Sequence, residues 1–378
     1  ALFSLADIPG ERRIISGPEL DELDGPAFDK AVQEANIFGR MRPENKEDVI
    51  ESLKRSGRYV AMIGDGVNDV KSLKTAQVGI SLESGAGAAR GVADMILVKD
   101  NFSALPKAIV EGRRTVSGMR DILKLYLTRN LVLAFLFFTL YLIFGNIPMT
   151  PIQNTYYAFV SVTIMAFFMT LFAKPDENKE LILPDVFRFC VPSAIVISVF
   201  GLMVYAVSWW AASEGILTVD FQLMADIGGY STVDEVLKHM CWNGSSEVEV
   251  IARSAMLFFV TAAGILQMFL IAPRFRFLSP DGKTNKSIIP LALIAFVVLV
   301  ILAMYLYFPV IAVRLIGMVI FSNEVYAVLL AVIAIWFVTE LTILKRNVLK
   351  GAVDGFEEIY MQKLHEEYTE DDEKDQGS

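Results

Sequence analysis

Six stretches of predominantly apolar residues constrain this chain more than anything else in it. They are about Ile122–Phe144, Ile152–Phe172, Val186–Ala211, Ala252–Ile271, Ile288–Tyr307 and Val325–Leu344. A hydrocarbon core of ~30 Å is crossed by a helix of roughly 20 apolar residues, so each stretch is long enough to span a bilayer. The 54% hydrophobic share of the 378 residues exceeds that of a soluble domain, and it is unevenly spread. Everything before about Leu123 is charged and mixed. An all-α six-helix transmembrane bundle following a soluble part is therefore expected, with the lipid bilayer as its surroundings. Six spans put both termini on one side. Lys174, Lys179 and Arg188 flank one loop, Arg274, Arg276, Lys283 and Lys286 another, and Lys345, Arg346 and Lys350 begin the tail. The long opposite loop, about Ala212–Ile251, is mainly acidic, so both ends are expected in the cytoplasm.

The net charge of −9 comes largely from the tail Asp354–Ser378 and argues against a nucleic-acid partner. Cys190 and Cys241 are the only cysteines, too few and too far apart for a disulfide framework or a zinc site. No secretory leader is legible. The chain opens on Ala1 inside what reads as an ongoing fold, so a preceding N-terminal part is expected.

The soluble part alternates helical and strand patterns. Glu19–Leu23 and Pro26–Glu34 are helical, and Phe38-Gly39-Arg40-Met41 reads as a brief strand and turn. Pro43 opens a helix that runs to about Arg55 and is closed by Gly57, the usual proline–glycine asymmetry. Strands follow at Tyr59–Ile63, Val78–Leu82 and Met95–Val98, with a helix over Asn68–Ala76 and a Gly/Ala-rich segment at Gly85–Ala93. Such alternation indicates α/β architecture with a parallel sheet. The first of these strands is β-favouring throughout and reads as buried. It runs into Gly64-Asp65-Gly66-Val67-Asn68-Asp69. The glycines permit a sharp turn and close approach of a ligand, and the turn lies at the carboxyl end of a strand, where open α/β sheets bind ligands. Asp65 and Asp69 offer two hard oxygen donors suited to Mg²⁺ and phosphate chemistry. Lys46, in the first turn of its helix, reads on its own as a solvated surface residue; it acquires a role if the fold carries it to Asp65.

Met62–Asp69 with Lys71-Ser72-Leu73-Lys74 resembles the hinge motif of P-type ATPases, within the haloacid dehalogenase-like superfamily. Val78-Gly79-Ile80-Ser81-Leu82, Ser84-Gly85-Ala86 and Ala93-Asp94-Met95-Ile96-Leu97 continue the likeness, and Asn101-Phe102-Ser103 and Glu111-Gly112-Arg113 extend it. The resemblance implies a partial haloacid dehalogenase-like (Rossmann-like) phosphorylation domain, with ATP and Mg²⁺ as cofactors. It implies that Asp65 and Asp69 hold the metal, that Asn68 and Asp69 order the phosphorylation site, and that Lys46 contacts the phosphoryl group, so that Lys46, Asp65, Asn68 and Asp69 form the catalytic set. Phosphoryl transfer of this kind rests on positioning and charge neutralisation. Two departures stand out. Ile63 replaces the family's usual threonine before the Gly-Asp pair. Asp-Lys-Thr-Gly, which bears the phosphorylated aspartate in the family, does not occur, and neither does Thr-Gly-Glu. The nearest string, Asp29-Lys30-Ala31-Val32, sits in a helical pattern. The chain thus reads as the C-terminal portion of a pump whose aspartyl-phosphate is supplied by an N-terminal part outside it.

Transport requires polar groups at membrane depth. Asn130 lies in the first span, Asn154, Ser161 and Thr163 on the second, and Gln267 near the end of the fourth; these are the transport-path candidates. The carboxylates that Ca²⁺, Na⁺ or K⁺ pumps of the family place in the first two of these helices are missing, and hydroxyls in membrane helices commonly bond their own backbone or a neighbouring helix. The Ala166-Phe167-Phe168 segment is similar to bacterial cation pumps and favours a cation as substrate, in a bacterial-type plasma membrane. A lipid or organic-cation substrate is the alternative, as are a phosphatase with a membrane anchor and a catalytically incomplete membrane protein or regulator. Glu340 reads as a snorkelling or capping residue, Arg314 as interfacial, and Glu366–Asp375 as a disordered tail. The expected organisation is residues 1–105 as the C-terminal part of a nucleotide and phosphorylation domain, 106–121 as a stalk helix, 122–345 as six spans, and 346–378 as an acidic cytoplasmic tail.

Overall fold

The computed structural model describes residues 13–171, 173–175, 182–241, 245–271, 309–346, 351 and 355. By its contacts the chain divides into two units, Ala1–Ile109 and Val110–Ser378.

In the first unit, β1 (Ile14–Ser16) leads into α1 (Gly17–Leu20) and α2 (Gly25–Glu34), and β2 (Ile37–Gly39) returns beside β1 in parallel, with Ile15 opposite Phe38. A Cβ on Gly17 would lie 2.7 Å from the Arg40 carbonyl oxygen, so this close approach of two backbones accepts only glycine. α3 (Pro43–Arg55) begins at the proline expected to start it. The Asn45 side chain accepts a hydrogen bond from the Arg42 amide at 3.0 Å, satisfying a donor at the helix entrance. Lys54 and Arg55 occupy the last turn, where cations complement the helix dipole, and Gly57 leaves it at φ +75°. Leu20, Val32 and Val49 form the core between these elements, with Phe28, Phe38 and Leu53 packed on it.

The second sheet is parallel, in the order β3 (Ala61–Ile63), β4 (Val78–Leu82), β5 (Met95–Leu97), with α4 (Val70–Thr75) and α5 (Gly87–Val92) in the crossovers. β4 is central, and Gly79, Ile80 and Ser81 are buried. β3 departs from the buried strand expected of it. It lies at an edge of this sheet, with Ile63 39% exposed and the preceding Tyr59 78% exposed. β-favouring residues report that a segment suits a sheet; they do not report how many neighbours the strand has.

In the second unit the helices are long. α6 (Ala104–Phe144) has 41 residues, and the contact boundary between the units falls inside it. At 1.5 Å per residue it is about 60 Å long, twice the thickness of a hydrocarbon core. The residues expected as stalk and first span therefore belong to one continuous helix. Pro151–Leu171 forms a single 21-residue rod made of α7 (Pro151–Ala158), a π-helical turn over Phe159–Thr163 and α8 (Ile164–Leu171). α9 (Ile182–Ser213) carries Pro192 in its interior, which removes one backbone donor there. α10 (Phe221–Gly228) and α11 (Val233–Met240) lie within the expected long loop; Asp220 and Thr232 cap them by accepting from Leu223 N and Glu235 N. α12 (Glu247–Ile271), a second π-helical turn (Ile311–Ile316) and α13 (Asn323–Arg346) complete the described elements.

Among the described residues, five helices are long and apolar enough to cross a membrane. The expected span Ile288–Tyr307 and the acidic tail Glu366–Asp375 lie outside the described residues. α12 is the most enclosed: 78% of its most apolar window is buried, against 22% for α6. Ala255, Phe259 and Val260 on α12 meet Leu136 on α6, Ile197 on α9 and Trp336 on α13 in one core. The exposed Phe135, Phe137, Phe138 and Tyr141 of α6 form an apolar surface of the kind that faces lipid. Small residues allow close packing: a Cβ on Gly264 would fall 2.7 Å from that of Ser161.

Candidate functional site

The glycine turn after β3 is fixed by the strands beside it. Gly64 N donates to the Ile80 carbonyl at 3.0 Å, and Ala86 N to the Asp65 carbonyl at 2.7 Å, so the loops after β3 and β4 are tied together. Val67–Asp69 then form a 3₁₀ turn that runs into α4. Asp69 is buried, with its two carboxylate oxygens engaged separately. Oδ1 accepts from Lys46 Nζ at 2.6 Å, and Oδ2 from Gly66 N at 3.2 Å. Ser72 Oγ donates to the Asp69 carbonyl at 3.0 Å. Gly64 is required by this arrangement, since a Cβ there would sit 2.6 Å from Asp69 Cβ.

Lys46 thus reaches the turn, and its ion-pair partner is Asp69. α3 is held in place to deliver it by the Lys54 Nζ bond to the Thr75 carbonyl at 3.1 Å and the Thr75 Oγ1 bond to Glu47 at 3.2 Å. Asp65 and Asn68 are exposed, and no side-chain bond of either is seen among the described residues. The site therefore presents one exposed carboxylate, Asp65, beside a second carboxylate already neutralised by a lysine. An exposed carboxylate at a glycine turn is a fitting donor for Mg²⁺, which keeps several waters and takes only one or two protein carboxylates. Among the described residues no group of three or more His, Cys, Asp or Glu is assembled to hold a metal without such help.

The polar groups of the second unit sort themselves differently. Asn154, on α7, accepts from Arg129 Nη2 at 2.6 Å, and Asn130 accepts from Arg129 Nη1 at 3.3 Å. The same guanidinium lies 5.4 Å from the ring centroid of Tyr157. Two of the sequence candidates are thus gathered on a residue that sequence reading passed over. Ser161 is buried and donates to its own helix at Tyr157 O, 2.5 Å. Thr163 is exposed and donates to Ala158 O at 3.4 Å. Gln267 is buried on α12, and its Nε2 lies 3.4 Å from Glu340 Oε1. Glu340 is fully buried on α13, contrary to the snorkelling or capping role expected for it. A further ionic cluster joins α6 to α9: Lys124 Nζ is 2.8 Å and Arg120 Nε 3.6 Å from Asp185 Oδ2. The signal that could have found these groups is a charged residue within an apolar run.

No family model matches the chain. Curated relatives do. The calcium-transporting ATPase CtpE of Mycolicibacterium smegmatis is 31% identical over 190 residues, 48% of this chain and 24% of the relative. The magnesium-transporting ATPase, P-type 1 of Salmonella typhimurium is 31% identical over 202 residues, 52% of this chain and 22% of the relative. The probable cation-transporting ATPase I of Mycobacterium tuberculosis is 41% identical over 115 residues, 30% of this chain and 7% of the relative. The matches cover about a quarter or less of these relatives' lengths.

Proposed function

The chain is a relative of the cation-transporting P-type ATPases, and on that premise we propose that it is the C-terminal portion of such a pump, with an ATP-derived aspartyl-phosphate supplied by a preceding part. The observation that carries the reading is the juxtaposition of Lys46, Asp69 and the free Asp65 at the carboxyl end of β3. In this reading the first unit is a partial haloacid dehalogenase-like phosphorylation domain, and the second a six-span bundle with both termini cytoplasmic in the plasma membrane.

Each side chain then has a defined task. Asp65 and Asp69 would hold Mg²⁺, which when bound offsets phosphate charge. Asp69 fixes Lys46 Nζ, and the pair sets where positive charge stands beside the turn. Asn68, exposed on the 3₁₀ turn, would orient the acceptor segment. Gly64 and Gly66 keep the backbone low enough for a phosphoryl group to approach. Charge placement of this kind is what phosphoryl transfer asks of a protein.

The test is phosphoenzyme formation from ATP in the protein that contains both this chain and the acceptor aspartate. Asp65→Asn should abolish Mg²⁺-dependent labelling; normal labelling would refute the assigned role. The relatives named above carry calcium and magnesium in their names, so the transported cation stays a class. The Arg129 guanidinium bonded to Asn154 weighs against any cation, metal or organic, at that point and favours, as second reading, a lipid substrate. ATPase stimulation across a panel of metal cations, organic cations and lipids separates the two.

A further inference from the structure

Glu340 lies on α13, six residues before Arg346 and so about 9 Å along the helix from its charged end. It is fully buried where α13 packs against α9 and α12. Oε1 is the oxygen that faces Gln267 Nε2, at 3.4 Å. Oε2 is buried and has no hydrogen-bond partner among the described residues. Ser193, on α9 directly after Pro192, turns its buried hydroxyl toward the same carboxyl, short of a hydrogen bond. Val186, Phe189, Cys190, Leu270 and Leu344 enclose the neighbouring layer.

An ionised carboxylate cannot rest in such surroundings without a partner, because removing the charge from water costs far more than an amide hydrogen bond returns. Among the described residues no cation is paired with Glu340. The charges on the elements around it are committed or distant. On α9, Asp185 is paired with Lys124 and Arg120; Arg188 lies five residues before Ser193, and the Cys190 thiol donates to Lys124 O at 3.3 Å. On α12, Gln267 is the group bonded to Glu340, and the charged Arg253, Glu249 and Glu247 lie fourteen or more residues away, at least ~20 Å along the helix. On α13, Lys345 and Arg346 are at the end and Glu324 at the beginning. A metal cation would need about six oxygen ligands, and the described residues bring only a carboxyl, an amide and a hydroxyl here. A proton needs one oxygen.

We propose that Glu340 is an intramembrane proton-binding site, with the proton on Oε2 able to donate to Ser193 Oγ while Oε1 accepts from Gln267. The binding step is balanced: Oε2 takes one proton from water on loading and returns it to water on release, with no other bond made or broken. The proposal concerns this chain alone and does not depend on the ATPase reading.

The test is infrared difference spectroscopy of the full chain in lipid nanodiscs at neutral pH. The wild type should show a protonated-carboxyl C=O band that Glu340→Gln removes and that shifts in D₂O. Gln267→Leu, which keeps Glu340, should retain the band and move it to higher frequency as the hydrogen bond to Oε1 is lost. Absence of a Glu340-dependent band, a band that does not shift in D₂O, or one insensitive to Gln267→Leu would overturn the assignment. Loss of the band on adding Na⁺, K⁺, Mg²⁺ or Ca²⁺ near neutrality would overturn it in favour of a metal-cation site.

Discussion

Lys46 Nζ stands 2.6 Å from Asp69 Oδ1, bringing together the first turn of α3 and the turn after β3 across 23 residues of sequence. Asp69 is the more enclosed partner, its side chain 11% exposed against 33% for Lys46. Lys46→Met should cost about 1–2 kcal/mol, the penalty for stranding a mostly buried carboxylate whose lost partner was itself part-solvated. Hydrogen exchange should report it first at the Gly66 amide, which donates to the other Asp69 oxygen. Unchanged exchange there would mean that the pair does not hold the turn.

Gly64→Ala tests the same turn sterically. The added methyl would stand 2.6 Å from Asp69 Cβ, and backbone on both sides is tied by hydrogen bonds to the neighbouring loop and strand. Overpacking of this sort costs about 1–3 kcal/mol. A lowered thermal midpoint for the first unit, with no comparable loss in Gly87→Ala, where a Cβ meets nothing within 4 Å, is the expected outcome.

Asp21 gives the acid limb of stability a specific contributor. It accepts from Asn45 Nδ2 and from Arg42 Nη2, each at 2.6 Å, and these bonds, the Asn45 one foremost, hold its carboxyl below the ordinary 3.8. A carboxylate depressed in the folded state stabilises above its unfolded value and loses that contribution as pH falls through the lower folded value. Asp21→Asn should therefore destabilise at neutral pH and narrow its gap from the wild type below about pH 4. Asp48 has the opposite sign: it is exposed, yet partial desolvation and the neighbouring carboxylates Glu47, Asp21 and Glu44 raise its carboxyl, so lowering the pH relieves a cost. Unfolding midpoints of Asp21→Asn and Asp48→Asn from neutral to acid pH check the two signs.

Arg129 and Asn154 should be energetically coupled. In membrane proteins such hydrogen bonds are worth about 0.6 kcal/mol on average, and at most about 1.7, by double-mutant cycle. Arg129→Met, Asn154→Leu and the double variant, unfolded in bicelles, should show coupling in that range, and additive effects would make the contact incidental.

How much of this was legible in the sequence varied with the range of the interaction. α3 was readable to the residue because Pro43 and Gly57 act on their own backbone. β1 was not, since Ile14-Ile15 is too short a run to show a period. The partner of Lys46 and the edge position of β3 depend on which segments meet, and no local pattern encodes that. The glycine turn showed its two carboxylates but not their division into one engaged by a lysine and one exposed. Arg129 was passed over and Glu340 was read as snorkelling or capping for a shared reason. Each stands within about two or three turns of a span's charged end, where a charge reads as a flank; helix packing, not distance from the end, decides whether it reaches water.

The π-helical turn Phe159–Thr163 is a dislocation in the rod Pro151–Leu171. Tyr157 before it, Ser161 within it, and Met165 and Met169 after it all lie buried. A helix of 3.6 residues per turn rotates its surface by about 100° for each residue added or removed. A π turn takes one residue more than an α turn, so deleting a single residue inside it would heal the defect and keep Met165 and Met169 on their present face, whereas a deletion from intact α-helix would swing everything beyond it. The turn thus absorbs one residue of chain length without changing the phase between the two halves of this span.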